Sequence, residues 1–331
     1  FMPGPETGPA MPGGGAVPGG GAVPELSPAP VNAEAVNAAA ASRRGLLLVA
    51  LGVLAFTPDA LAMRMSGLDG FALASLRGFF GGTVLTLGCL AVYGRGLPRA
   101  IRGLGRWGLV LAALEAATIV LFTLSIMWTS VANAMLAFAA TPMLAALMAR
   151  AFLGERIPPQ TAAAIAAVAA GLGLVAAGAW GEGALSARGI VAGFLCAFCI
   201  AAFFVILRRL KAASATPVIG PGWLLGGLLA LPFASFGAPE PQQLAWAFAS
   251  GGIIMPAAIS LISWGSRRLP AAETSMLTLL EVVTGPILVW IVLGEDPGPW
   301  TLAGGAVVLG ALAAHAAWRW RAPPSAAEAA A

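Results

Sequence analysis

Apolar residues run through this chain in blocks of about twenty, and polar residues collect in short gaps between them. A helix needs about 20 mostly apolar residues to cross ~30 Å of hydrocarbon. Ten blocks meet that requirement, at 45–63, 71–93, 107–128, 131–149, 160–180, 189–207, 218–236, 244–264, 272–293 and 299–318. Blocks three and four are separated only by Thr129 and Ser130, so a tight hairpin joins them. The pattern predicts an all-α integral membrane protein of ten transmembrane helices.

The two ends break the pattern. Residues 1–41 are rich in Gly, Pro and Ala and carry Glu6, Glu25 and Glu34 but no basic residue. Such a segment cannot bury enough apolar area to offset its chain entropy, and it reads as a disordered tail. Residues 321–331 read as a C-terminal tail. Ser42-Arg43-Arg44-Gly45-Leu46-Leu47 resembles a twin-arginine export signal. Because further spans follow, the arginines are read instead as holding the first helix end at the cytoplasmic face.

Composition agrees with hydrocarbon as the solvent. Hydrophobic residues make up 59% of the chain and charged residues 10%, against about 25% charged in a soluble domain. The net charge of +4 does not indicate nucleic acid, because the basic residues lie in gaps between apolar runs. Basic residues prefer cytoplasmic loops. With the N-terminus inside, 15 arginines and lysines fall inside and only Arg64 and Arg188 outside. An even span count with both termini cytoplasmic, in a bacterial-type inner membrane, follows as the expectation. The outer loops hold acids instead: Asp69, Glu182, Glu240, Glu295 and Asp296.

The chain also repeats itself. Leu153-Gly154-Glu155, followed by Pro159 and Thr161, returns 140 residues later as Leu293-Gly294-Glu295 with Pro299 and Thr301. Arg44-Gly45 returns as Arg188-Gly189, and Gly78-x-x-x-Gly82 as Gly222-x-x-x-Gly226, both at an offset of 144. Two units, 42–183 and 184–320, then contain five spans each. Five is odd, so the second unit is expected upside down relative to the first. Inverted repeats of this kind belong to transporters, with a substrate site at the repeat interface near mid-membrane.

Leu124 to Leu136 reads LSIMWTSVANAML, followed by Thr141-Pro142 and Leu153-Gly154-Glu155-Arg156. This stretch resembles the EamA-type repeat of the drug/metabolite transporter superfamily, and Arg267 to Glu295 echoes it. The likeness runs from about residue 45 to 318. It departs at Val282, where the second family repeat usually has proline; here Pro286 follows one turn later. Among branches, exporters of the YddG kind look closest. The resemblance implies a central cavity lined mainly by spans 1, 3, 4, 6, 8 and 9, and export of amino acids or other small metabolites.

Ionisable groups inside spans are costly and mark candidate sites. Glu115 and Glu281 fall near mid-membrane by rise per residue. Together they could meet a substrate amine, with Arg77 for a carboxylate. Phe56, Phe79, Phe138 and Trp264 are the expected apolar lining. Glu281 has a second role open, bracing a bent helix. Arg77 has one too, an ion pair with Asp59. Burial disfavours a charged carboxylate, which makes Glu115 the first candidate for proton exchange, ahead of Asp59 and His315. Pro58, Pro142, Pro256 and Pro286 remove backbone donors inside spans and are expected helix breaks. Cys196-x-x-Cys199 lies within a span, where small apolar packing is the plainer reading.

The chain has no nucleotide-binding motif, so ATP is not its direct drive. No cofactor or metal is implied, since three cysteines and one histidine leave little room for a metal cage. Scattered acids and a solitary histidine argue against a membrane-embedded enzyme. The expected partners are a small-molecule substrate and the lipid bilayer.

Overall fold

The computed structural model describes residues 33–154, 157–182, 184–210, 215–266 and 271–321. Most of the expected N-terminal tail, nearly all of the C-terminal one, and Glu155, Arg156, Lys211, Arg267 and Arg268 lie outside them. The chain divides into two units, residues 1–40 and 41–331, and every candidate membrane span falls in the second.

The described residues form helices α1 (Ala33–Phe56), α2 (Asp59–Ser66), α3 (Gly70–Tyr93), α4 (Leu97–Gly103), α5 (Gly105–Trp128), α6 (Val131–Phe138) and α7 (Thr141–Leu153). There follow α8 (Pro159–Glu182), α9 (Ala184–Leu210), α10 (Thr216–Ala230), α11 (Pro241–Phe248), α12 (Met255–Ser266), α13 (Ala271–Leu293) and α14 (Gly298–Arg321). The first helix already begins at Ala33, inside the expected tail. Among the described residues, eight helical stretches are long and apolar enough to cross a membrane, from Arg44–Ser66 to Pro241–Ser266. The apolar stretch Leu280–Leu293 of α13 is shorter. Ten crossings were expected from the sequence, and eight satisfy both length and composition here.

Three of the expected spans are not single helices. α1 gives way to α2 at Thr57 and Pro58, and α6 to α7 at Ala139 and Ala140, with Pro142 in the first turn of α7. Between α11 and α12 the backbone widens into a π-helix over Ala249–Ile254, and Pro256 follows at once. Pro286 differs, for α13 runs on through it. A single lost backbone bond is tolerable where neighbouring groups can satisfy the freed carbonyl. The interruptions are stabilised locally. Asp69 caps α3 by accepting from the N–H of Phe71 and Ala72 at 3.1 and 3.2 Å. Ser130 caps α6 by accepting from Asn133 N–H at 3.2 Å.

The repeated motifs recur as repeated geometry. Gly154 and Gly294, 140 residues apart, both take left-handed backbone, at φ 71° and 70°. That conformation follows α7 and α13 respectively and suits glycine. The Gly-x-x-x-Gly pairs are helix contacts. A Cβ on Gly78 would lie 2.6 Å from Gly227 Cα, and one on Gly226 would lie 2.7 Å from Ala116 O. Helix α10 therefore sits backbone to backbone against both α3 and α5, as small residues allow in membranes. Gly171 and Gly304 bring α8 and α14 together in the same way. The largest buried apolar cluster joins α2, α3, α5, α6, α9, α11 and α13, and includes Met63, Leu73, Phe122, Ile126, Met135 and Val289.

Candidate functional site

The break at Pro58 starts α2 at Asp59 and turns its carboxylate into the protein. Asp59 Oδ2 accepts from Arg77 Nη2 at 2.7 Å, and Asp59 Oδ1 accepts from Ser250 Oγ at 2.6 Å. Ser250 reaches this point because the π-helix swells span 8 toward α3. A Cβ on Gly251 would lie 2.7 Å from Arg77 Cα. Such widened turns recur at functional sites.

Arg77 is enclosed on its other sides. Nη1 contacts the Met63 sulfur, and Nη2 lies 3.0 Å from the Met255 sulfur. The guanidinium stands 5.4 Å from the centre of the Phe122 ring, a distance at which the ring face attracts a cation. Phe122 in turn stacks on Phe138 at 4.8 Å and 17°, and Phe56 tilts against it at 6.0 Å. Glu281 lies on α13 next to Val282, which packs against the same apolar cluster as Met63 and Phe122. Nearby, Thr57 and Thr284 share a hydroxyl contact of 3.0 Å, tying the break in span 1 to α13.

Glu115 adjoins this centre through Trp223, which packs with Met255 and Phe56 in one apolar cluster. Glu115 is half-buried on α5, and Trp223 Nε1 on α10 donates to its Oε2 at 2.9 Å. Cys196 and Cys199 lie on α9, which packs against α5. Both thiols are unoxidised, and Cys196 Sγ lies 3.7 Å from Thr118 O.

The structure thus gathers Asp59, Arg77 and Phe138 around one buried centre, and among the described residues no hydrogen bond or ion pair ties Glu115 or Glu281 to it. Trp264 lines a small pocket of about 60 Å³ with Leu85, Thr216, Ile219, Ile259, Ser260 and Ser263. That pocket lies between α3 and α10, which are spans 2 and 7, and α12, the second half of span 8; of these three the family resemblance assigns span 8 alone to a central cavity. Phe79 is half-buried beside Gly227. His315 is remote, 3.0 Å from Thr161 Oγ1 and against the Trp318 ring.

A second polar centre joins four chain segments at the end of the bundle that carries the hairpin. Arg64, at the end of α2, donates through Nη2 to Thr129 O at 2.7 Å and to Glu295 Oε1 at 3.2 Å. Its Nε faces Glu295 Oε2 at 3.1 Å. Glu295 Oε1 also accepts from the N–H of Val131 at 2.6 Å. Thr129 Oγ1 pairs with Ser186 Oγ at 2.8 Å and accepts from Asn133 Nδ2 at 3.2 Å. Thr301 Oγ1 donates to Asn133 Oδ1 at 2.6 Å. Sequence reasoning placed Arg64 and Glu295 merely in loops. Ser250, Met255, Phe122 and Trp223 were missed as well. The run Ser250-Gly251-Gly252 within an apolar block was the available signal for an altered helix.

Comparison with known proteins gives the family. Residues 43–177 and 187–315 each match the profile of the EamA-like transporter family. A search of curated proteins returns no match. One solved crystal structure superposes with a TM-score of 0.57 at 21% identity, over 84% of this chain and 99% of its own. That likeness is one of fold. Two successive family matches fill most of the chain, and this multi-pass membrane protein belongs to the EamA-like transporter family.

Proposed function

We propose that the chain is a secondary transporter that exports small metabolites by alternating access, with amino acids as its substrates. The doubled family match carries this reading. In it, α13 and α14 supply the ninth and tenth spans. Their 23 and 24 residues reach about 35 Å at the rise of a helix. Five spans per repeat then invert the second repeat about a central cavity. The arginine distribution supports cytoplasmic termini in a bacterial-type inner membrane, which makes the hairpin end the outer one.

A zwitterion buried in a membrane needs a partner for each charge. Glu115 and Glu281 are assigned to the amine. Arg77 is assigned to the carboxylate, in a conformation where Asp59 releases it. Phe79, Phe138 and Trp264 would tolerate large side chains, in keeping with exporters of the YddG kind. Export of drugs or other metabolites is the second reading, favoured by the mostly apolar lining of the pocket at Trp264.

The test is counterflow in proteoliposomes with labelled phenylalanine, leucine, lysine, glutamate and glucose. Movement of at least one amino acid is expected. Glucose moving while no amino acid moves would overturn the substrate assignment.

A further inference from the structure

Arg64 and Glu295 meet across the repeats. Arg64 closes the first span, and Glu295 lies between α13 and α14. Both are anchored to the hairpin after α5, Arg64 through Thr129 O and Glu295 through Val131 N–H. The hydroxyl and amide contacts among Thr129, Ser186, Asn133 and Thr301 extend the junction to α9 and α14. The ends of α2, α5, α6, α9, α13 and α14 at this face of the bundle are thus held by one connected set of polar contacts. Just beneath it, Leu68, Val131 and Met135 belong to the largest buried apolar cluster.

The construction suits a bond that breaks and re-forms. The Arg64 and Glu295 side chains keep 21% and 24% of their surface exposed, whereas Arg77 and Asp59 keep 0% and 1%. Water can solvate the first pair when it parts, so separation strands no charge in a dry interior. The second pair, shut away from water, can part only where a substrate or another protein group takes over as partner. The acceptor for Arg64 and the donor to Glu295 are backbone groups of Thr129 and Val131, two residues apart at the hairpin, so a shift of the hairpin releases both ends together.

We infer that the Arg64–Glu295 pair, clamped to the Thr129–Val131 hairpin, is the latch that holds the outer end closed and that opens once in each transport cycle. This rests on the alternating-access reading. Arg64 and Glu295 act as positioning residues and bind no substrate in this scheme.

Cysteine labelling tests it without a known substrate. In a variant with Cys89, Cys196 and Cys199 replaced by alanine, one reporter is Leu61→Cys, within the apolar cluster under the latch. The other is Ser263→Cys, at the pocket near Trp264. Each is labelled in membranes with a maleimide reagent, alone and combined with Glu295→Gln or Arg64→Gln. Several-fold faster labelling at position 61 with slower labelling at 263 is expected, because loosening one end favours closure of the other. Arg64→Lys should keep most of the protection. Arg188→Gln, an exposed charge of the expected outer loops that takes no part in the network, should change neither reporter. Where the Gln variants fail to insert, Thr301→Val removes one network bond at nearly constant shape and should shift both reporters the same way, less far. Unchanged labelling at both positions overturns the latch. Faster labelling at both overturns it too, since that is a loosened fold. If amino acids fail in the transport panel while the reporters shift oppositely, the substrate assignment falls and the latch stands.

Discussion

Arg77 Nη2 and Asp59 Oδ2 meet at 2.7 Å with both side chains shut away from solvent, and Ser250 from the other repeat holds the second carboxylate oxygen. Removing one partner of a buried ion pair strands the other charge and costs about 3–5 kcal/mol, while replacing both with apolar residues of similar volume is often neutral. Asp59→Ala and Arg77→Ala should each lower thermal stability strongly in detergent. Asp59→Leu combined with Arg77→Met should recover most of it. If Arg77 also meets a substrate carboxylate, the double variant folds but does not transport. Full transport by a stable double variant would reduce the pair to a packing device.

The contact between α3 and α10 gives a second expectation. A Cβ at Gly78 would meet Gly227 backbone at 2.6 Å, whereas at Gly88 on the same helix nothing lies within 4 Å. Overpacking against backbone costs about 1–3 kcal/mol. Gly78→Ala should therefore lower the melting temperature. Gly88→Ala should leave it level or raise it, since alanine favours a helix over glycine by about 1 kcal/mol. Equal effects from the two substitutions would contradict this close approach of α3 to α10.

Much of the fold was legible in the sequence because lipid makes simple demands. A run of apolar residues long enough to cross is visible without any contact being known, and so is a motif repeated at 140 or 144 residues. The buried partners were harder to see. Asp59 and Arg77 were recognisable as a possible pair from their depth, but nothing adjacent in sequence points to Ser250. It arrives from 191 residues away through a π-turn that periodicity cannot reveal. Glu295 looked like an ordinary loop acid, because its partner Arg64 lies 231 residues away. Pro286 misled in the opposite direction. Local chemistry favours a break there, and the packed bundle carries the helix through it.

Topology provides a third check. Reporter fusions after residues 100, 155, 211 and 268 should report the cytoplasm, and fusions after 67, 184 and 240 the outside. The 15-to-2 division of basic residues in the sequence is the motive. The fusion after 184 is the most informative, since it falls between the two family matches at 43–177 and 187–315. A cytoplasmic signal there would give the first repeat an even number of crossings and remove the inversion.

The last expectation concerns coupling at Glu115. Its Oε2 accepts from Trp223 Nε1 at 2.9 Å, and no hydrogen bond or ion pair joins it to a basic side chain among the described residues. A carboxylate held only by a neutral donor can trade a proton for a substrate amine, because the site then carries one compensating positive charge in either state. On that scheme an inward proton gradient speeds efflux of a labelled amino acid from proteoliposomes. Glu115→Gln keeps an acceptor for the indole but cannot release a proton, so it should abolish the response to the gradient while leaving some downhill exchange. Trp223→Phe removes the donor and leaves a half-buried acceptor unpaired, which costs about 1–3 kcal/mol, yet it keeps the titrating group. It should therefore lower stability and retain the gradient response. If Glu115→Gln instead weakens substrate binding and the residual transport still follows the gradient, Glu115 binds the amine without carrying the proton, and Asp59 and His315 become the residues to substitute. If the unaltered protein ignores the gradient beyond the effect of substrate ionisation, transport is uncoupled and no residue carries a proton.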